Sequence, residues 1–110
     1  MDKQKLAAIA QEFGTPSFVF DESALAKRMR EIKTIVGESV HLCYSIKANP
    51  FLIPAMRSLV ELLEVCSPGE LEICESLKVD QKTILFSGVN KTLSDIEHAM
   101  DAGVIHFTAE

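Results

Sequence analysis
The sequence predicts an α/β protein, and within that class a (β/α)8 barrel represented by its first four parallel strands and their helices. Three observations carry this reading. After an N-terminal preamble the elements follow the order βαβαβαβ with short connections, which implies parallel strands joined by right-handed crossovers. The strand ends recur evenly: Lys47, Ser67, Ser87 and Thr108 are 20, 20 and 21 residues apart. That spacing suits successive units of a barrel, and no sequence repeat accompanies it. Neither a G-x-G-x-x-G fingerprint nor a P-loop is present, so a dinucleotide-binding sheet has no support. The chain has 110 residues, whereas such a barrel takes about 250. Four strands are half the ring, and the chain is expected to be the N-terminal part of a longer protein.

The elements follow from local patterns. Residues 3–12 read as an amphipathic helix ended at Gly14. "PSFVF" (16–20) reads as a strand. Asp21 caps a helix through "ESALAKRMREIKTIV" that stops at Gly37. "SVHLCYSIK" (39–47) is the first barrel strand, and "IPAMRSLVELL" (53–63) a helix with Pro54 in its first turn, where proline is tolerated. "EVCS" (64–67) is a short strand. Ser67-Pro68-Gly69-Glu70 has the form of a capping box, so a helix opens there. "TILFSG" (83–88) is a strand, Thr92 and Asp95 repeat the cap logic for a helix to Ala102, and "VIHFTAE" (104–110) is the fourth strand. Two regions result: residues 1–38, preceding the barrel, and residues 39–110, its first half.

Composition narrows the function. The chain is 47% hydrophobic and 25% charged, as globular domains are, with a net charge of −5. That balance argues against nucleic-acid and anionic-membrane partners. No apolar run reaches the length of a membrane span, and the N-terminus lacks a signal peptide's apolar core. Cys43, Cys66 and Cys74 are odd in number and sit in apolar contexts, so free thiols in a reducing cytoplasm are expected rather than disulfides. They and His41 lack paired metal-ligand spacing, and no zinc site is read from them. His98 reads as a surface residue on a helix. The side taken by His106 is left open by strand parity.

Lys47 is the residue that asks for chemistry. Side chains alternate along a strand. Val40, Leu42, Tyr44 and Ile46 therefore face the helices, while His41, Cys43, Ser45 and Lys47 face the barrel interior. Lys47 comes last, at the C-terminal mouth where barrel enzymes place their sites. Two readings stand level on spacing alone. The side chain carries its charge out to water, or it is a nucleophile whose partly desolvated amine forms a Schiff base with a carbonyl.

Four stretches carry a resemblance over nearly all of residues 14–110. "CYSIKANP" resembles the Tyr-Ala-Val-Lys-Ala-Asn signature of the pyridoxal-phosphate decarboxylases of the alanine-racemase-like fold, which include diaminopimelate, ornithine and arginine decarboxylases. "EVCSPGELEICESLKV" is similar to their Asp-x-x-Ser-x-Gly-Glu-Leu segment, "ILFSGVNKTLSDIEHAMDAGV" to their Ile-x-Phe-x-Gly-x-x-Lys segment, and "GTPSFVFD" to their opening. The resemblance implies that Lys47 is catalytic and holds pyridoxal 5'-phosphate as a Schiff base, and that Glu64 and Ser87 belong to the cofactor pocket. Ser67, Gly69 and Glu70 match the second motif, although a helix cap accounts for them. Gly88 and Lys91 match the third, where Lys91 also reads as a loop charge. Glu64 stands where the family usually has aspartate, and Ser87 where diaminopimelate decarboxylases often carry histidine, so relatives acting on other amino acids stay open.

The implied function is a cytoplasmic amino-acid decarboxylase, a lyase, with a small amino-acid substrate and a homodimeric full-length form. Alternatives are a racemase of the same barrel, whose Tyr-Gly-x-Gly continuation "ANPFLI" lacks, and a non-catalytic cofactor-binding fragment. The glycine-rich phosphate loop, the acidic partner of the pyridine nitrogen and the C-terminal β-domain that the resemblance implies are not within these residues. The 110 residues alone are therefore expected to be inactive.

Overall fold
Side-chain caps open four of the five helices. In the computed structural model, which describes residues 2–109, the side chains of Asp2, Asp21, Ser67 and Thr92 accept hydrogen bonds from backbone N–H groups of the turns that follow. Each cap satisfies a donor that has no partner inside its own helix. Among the described residues the helices are α1 (Lys3–Phe13), α2 (Glu22–Val36), the single turn α3 (Ile53–Met56), α4 (Pro68–Ser76) and α5 (Leu93–Ala102). Thr92 and Asp95 form the full capping box, each side chain taking the other's backbone N–H, at 3.2 and 2.8 Å. Gly103 ends α5 in the left-handed region at φ 104°, where a side chain would be strained.

Four strands, β1 (Cys43–Ser45), β2 (Leu62–Val65), β3 (Ile84–Phe86) and β4 (His106–Phe107), form one parallel sheet in sequential order. Sequential parallel order with helical crossovers is the arrangement of part of a (β/α)8 barrel. The alternation of side chains sorts the sheet into two faces. Leu63, Val65, Ile84 and Phe86 are buried on one face, together with Ile46 just past β1. They pack with Leu71 and Cys74 of α4, Ala99 of α5, Ile53 of α3, and Val79 and Val104. Tyr44 and Phe107 extend this cluster, and the Phe86 and Phe107 rings meet at 6.1 Å. Fully burying one such large side chain is worth about 1.5–3 kcal/mol, so this one-sided core is what holds the sheet to its helices. α1 and α2 contribute no buried residue.

Several expected boundaries move. The first strand contracts from 39–47 to Cys43–Ser45, because the Leu42 N–H is taken by the Glu61 carboxylate at 2.6 Å. Val40 is exposed, and residues 46–48 turn into a short 3-10 segment, so Lys47 lies one turn beyond the ladder. The helix expected over 53–63 stops at Met56, and Leu62 and Leu63 belong to β2 rather than to a helix. An apolar run such as "LVELLEV" suits either state locally; pairing with β1 decides it. The second strand accordingly begins two residues earlier than "EVCS". The third and fourth strands are shorter than 83–88 and 104–110, and Glu110 lies outside the described residues. "SFVF" is exposed and carries no strand, since no described residue pairs with it; it lies outside the sheet. At Ser67 only half the expected box forms. Ser67 accepts from the Glu70 N–H at 3.3 Å, but the Glu70 carboxylate takes the Cys66 N–H at 2.7 Å. Among the described residues no helix is long and apolar enough to cross a membrane.

Candidate active site
The open face of the sheet collects its polar residues at the C-terminal strand ends. Ser45, Glu64, Leu85 and His106 are register partners across the four strands. His106, whose side parity left open, is thus on the open face and exposed. Just beyond lies a second row, Lys47, Cys66, Ser87 and Thr108. Contacts between neighbours link it: Lys47 Nζ to Cys66 Sγ at 3.7 Å, Cys66 Sγ to Ser87 Oγ at 3.3 Å, and the Ser87 and Thr108 N–H groups bonded to the Val65 and Phe86 carbonyls. The even 20-residue period pointed at Ser67 for the second place in this row. The register gives that place to Cys66, and Ser67 instead caps α4.

Local structure fixes each member. Lys47 sits on the 3-10 turn after β1, which is pinned by Tyr44 Oη donating to the Asn49 carbonyl at 2.9 Å and by Asn49 Oδ1 accepting from the Phe51 N–H at 3.1 Å. Its amine is exposed and, among the described residues, makes no ion pair. Ser87 is the buried polar residue of the site. Its hydroxyl donates to Glu64 Oε1 at 2.7 Å. The hydroxyls of Ser45 and Ser87 hold the Glu64 carboxyl below its ordinary range, and attraction to Lys47 adds to this. Glu64 is therefore an anion facing the lysine. Burial and the nearby Glu64 charge push the Cys43 thiol upward, and burial pushes Cys74 to about 11. All three cysteines are free thiols.

Gly88 makes the rim possible. Its φ is +106°, and a Cβ there would stand 2.4 Å from the Cys66 carbonyl oxygen. Only glycine lets the loops after β2 and β3 approach so closely. Lys91 bonds the Gly88 carbonyl and lies 6.0 Å from the Phe86 ring centroid. It clamps this loop, so its part is structural, as are those of Ser67 and Glu70. Together Lys47, Glu64, Cys66, Ser87, Gly88 and Thr108 bound a cavity of about 510 Å³, within the range of small-ligand sites. The sequence-predicted residues Lys47, Glu64 and Ser87 are thus brought together. Cys66 was missed as a member. Counting two residues on from Glu64 along the open face of β2 is the signal that finds it.

A parallel β/α sheet in barrel order, with an amine, a carboxylate and a hydroxyl on its C-terminal rim, defines a part-barrel with a candidate ligand site. The sequence makes the class specific. Residues 22–110 match the family model described as pyridoxal-dependent decarboxylase, pyridoxal binding domain, and the chain belongs to that family. It is 37% identical over 105 residues to the diaminopimelate decarboxylase of Neisseria meningitidis, covering 93% of this chain and 26% of that one. It is 33% identical over 109 residues to the diaminopimelate decarboxylase of Mycobacterium tuberculosis, covering 96% and 24%. Among solved structures it is similar to the lysine/ornithine decarboxylase of Vibrio vulnificus complexed with putrescine, at TM-score 0.80 and 22% identity over 94% of this chain and 29% of that one. The lysine decarboxylase of Selenomonas ruminantium gives TM-score 0.79 at 22% identity, over 97% and 28%. At that identity these structures show the fold alone, part of a (β/α)8 barrel. The chain spans about a quarter of the length of the curated relatives it matches.

Proposed function
We propose that these residues form the cofactor half-site of a pyridoxal-phosphate-dependent amino-acid decarboxylase, diaminopimelate- or ornithine-type, and that Lys47 is the residue to which the cofactor is bound. The observation that carries this is the exposed Lys47 amine, without an ion pair among the described residues, facing a cavity of about 510 Å³ rimmed by Glu64 and Ser87. A primary amine is the group that joins an aldehyde, and the cavity admits a ring of pyridoxal size. The residues present therefore fit the group. When bound, pyridoxal phosphate acts as an electron sink for the carbanion left by departing carbon dioxide.

The chain's own residues supply position and charge. The turn pinned by Tyr44 and Asn49 holds the Lys47 backbone at the rim. Glu64, whose pKa lies below its ordinary value, offers an anion toward that amine, and the Ser87 hydroxyl orients the carboxylate. Gly88 lets the loop after β3 pack directly against the Cys66 backbone at the rim of the cavity. The substrate in this reading is a small amino acid, and the full-length protein is a cytoplasmic homodimer. The free cysteines support a reducing compartment, and the net charge of −5 speaks against nucleic-acid or anionic-membrane partners.

The test is borohydride reduction of the full-length protein in the presence of pyridoxal phosphate, followed by peptide mapping. A reduced label on Lys47 is expected, lost in Lys47→Ala and in Lys47→Arg, whose guanidinium stays protonated. A label on Lys78 or Lys91 with Lys47 unmodified would refute the assignment.

A further inference from the structure
Two nucleophiles from neighbouring strand ends touch in this site: Lys47 Nζ lies 3.7 Å from Cys66 Sγ. We infer that the pair is an oxidative modification site, at which a hydroperoxide oxidises Cys66 and the Lys47 amine then condenses with it to a sulfur–nitrogen cross-link. In the first step the Cys66 thiol takes one oxygen from the hydroperoxide, giving a sulfenic acid and releasing water from hydrogen peroxide, or an alcohol from an alkyl hydroperoxide. In the second step the amine nitrogen attacks sulfur. The N–S bond forms, the S–O bond breaks, and the hydroxyl leaves as water with one amine proton. Sulfur is oxidised, peroxide oxygen is reduced, and nothing else is needed.

The surroundings favour this fate over others. Cys66 borders the open cavity, so a small oxidant reaches it. Its backbone is held on both sides, by the Glu70 carboxylate on its N–H at 2.7 Å and by the close packing of Gly88 on its carbonyl. The Lys47 turn is held by the Tyr44–Asn49 bond. Two reactive atoms already in contact, on backbones held in place, need little further ordering to combine. The usual competitor, a second thiol, is badly placed. Cys74 is buried among apolar side chains on the opposite face of the sheet, and Cys43 lies at the far end of β1 from Lys47. The Ser87 hydroxyl already donates to Glu64, so toward Cys66 it serves as an acceptor that orients the thiol. The cross-link rests on the Lys47–Cys66 contact and not on the cofactor reading. Where that reading also holds, the cross-link removes the amine the cofactor needs.

The experiment treats the full-length protein, without added pyridoxal phosphate, with hydrogen peroxide and maps its peptides by mass. The expected product joins the Lys47 and Cys66 peptides at a mass below their sum by about two hydrogen atoms, and dithiothreitol separates them. Lys47→Arg and Cys66→Ser should each abolish it. In Lys47→Arg, trapping of the Cys66 sulfenic acid by dimedone should rise severalfold over the unsubstituted protein. The inference is overturned if Cys66 gains only oxygen while the Lys47 peptide stays unmodified. It is equally overturned if dimedone labels the unsubstituted protein and Lys47→Arg alike.

Discussion

Ser87 Oγ donates to Glu64 Oε1 at 2.7 Å, tying the end of β3 to the open face of β2. The bond lies at the centre of the candidate site, and it joins the two positions, Glu64 and Ser87, that the sequence resemblance singled out as departures. The longer acid reaches the shorter hydroxyl.

This bond makes the charge on Glu64 testable. With its folded pKa below the ordinary value of 4.5, Glu64 contributes stability that is present above its unfolded pKa. That stability is lost as pH falls through the lower folded value. Ser87→Ala should raise the Glu64 pKa toward 4.5 and cost about 1 kcal/mol through the lost hydrogen bond. NMR titration of the Glu64 carboxyl checks the first effect and urea unfolding the second. An unmoved pKa would show that the Ser87 hydroxyl does not set the charge on Glu64.

Gly88→Ala should be among the most damaging single-methyl changes in the chain. A positive φ alone costs a non-glycine residue about 1–3 kcal/mol, and here the added Cβ also meets the Cys66 carbonyl at 2.4 Å. Gly37→Ala is the matched control, with φ +86° and nothing within 4 Å of its Cβ, so it should carry the conformational cost only. Thermal melts of the two variants side by side decide this, and equal losses would remove the argument from close approach.

How far these features could be read beforehand depends on what determines each. Capped helices were legible, because Asp21, Thr92 and the glycines after α2 and α5 act within a few residues of their own backbone. The parallel order and the helix-facing parity of Tyr44 and Ile46 were legible too, and the sheet brings the sequence-singled residues Lys47, Glu64 and Ser87 to one cavity. Where β1 and β2 begin was not, since that turns on Glu61 capturing the Leu42 N–H from nineteen residues away. "SFVF" has strand composition but no described partner, and composition says nothing of partners. Cys66 was obscured by an even period that pointed to its neighbour Ser67, whereas the ladder register decides membership.

Lys33 and Glu61 supply a pH-dependent brace between α2 and the sheet. Lys33 Nζ reaches Glu61 Oε1 at 2.5 Å and the Val40 carbonyl at 2.8 Å, while Glu61 also holds the Leu42 N–H. The Lys33 ammonium and this N–H pull the Glu61 pKa from 4.5 to about 2. The brace is therefore complete above about pH 4.5 and is lost as pH falls from there through about 2. Unfolding midpoints of the unsubstituted chain should decline over that window, and Glu61→Gln should remove part of the decline while lowering stability at neutral pH. Added salt should weaken the brace, as it does for exposed pairs. Identical pH profiles for the two proteins would rule it out.

A last expectation concerns the uncovered apolar surface of the 110-residue chain. Phe51 is 90% exposed and Phe13 72%, and Phe18 is fully exposed. Phe18, Phe20 and Phe51 line one cavity of about 650 Å³ beside the Lys47 turn. Contiguous apolar surface of this kind draws molecules together, and the outer edge of β4 offers unpaired backbone groups in addition. The chain made alone should therefore self-associate as its concentration rises. Burying one such phenylalanine gains about 1.5–3 kcal/mol, so Phe18→Ser combined with Phe51→Ser should weaken association by at least an order of magnitude while leaving the core at Phe86 untouched. Sedimentation velocity over a concentration series measures both proteins. A concentration-independent monomer from the unsubstituted chain, with a cooperative melt, would show that these side chains need no cover.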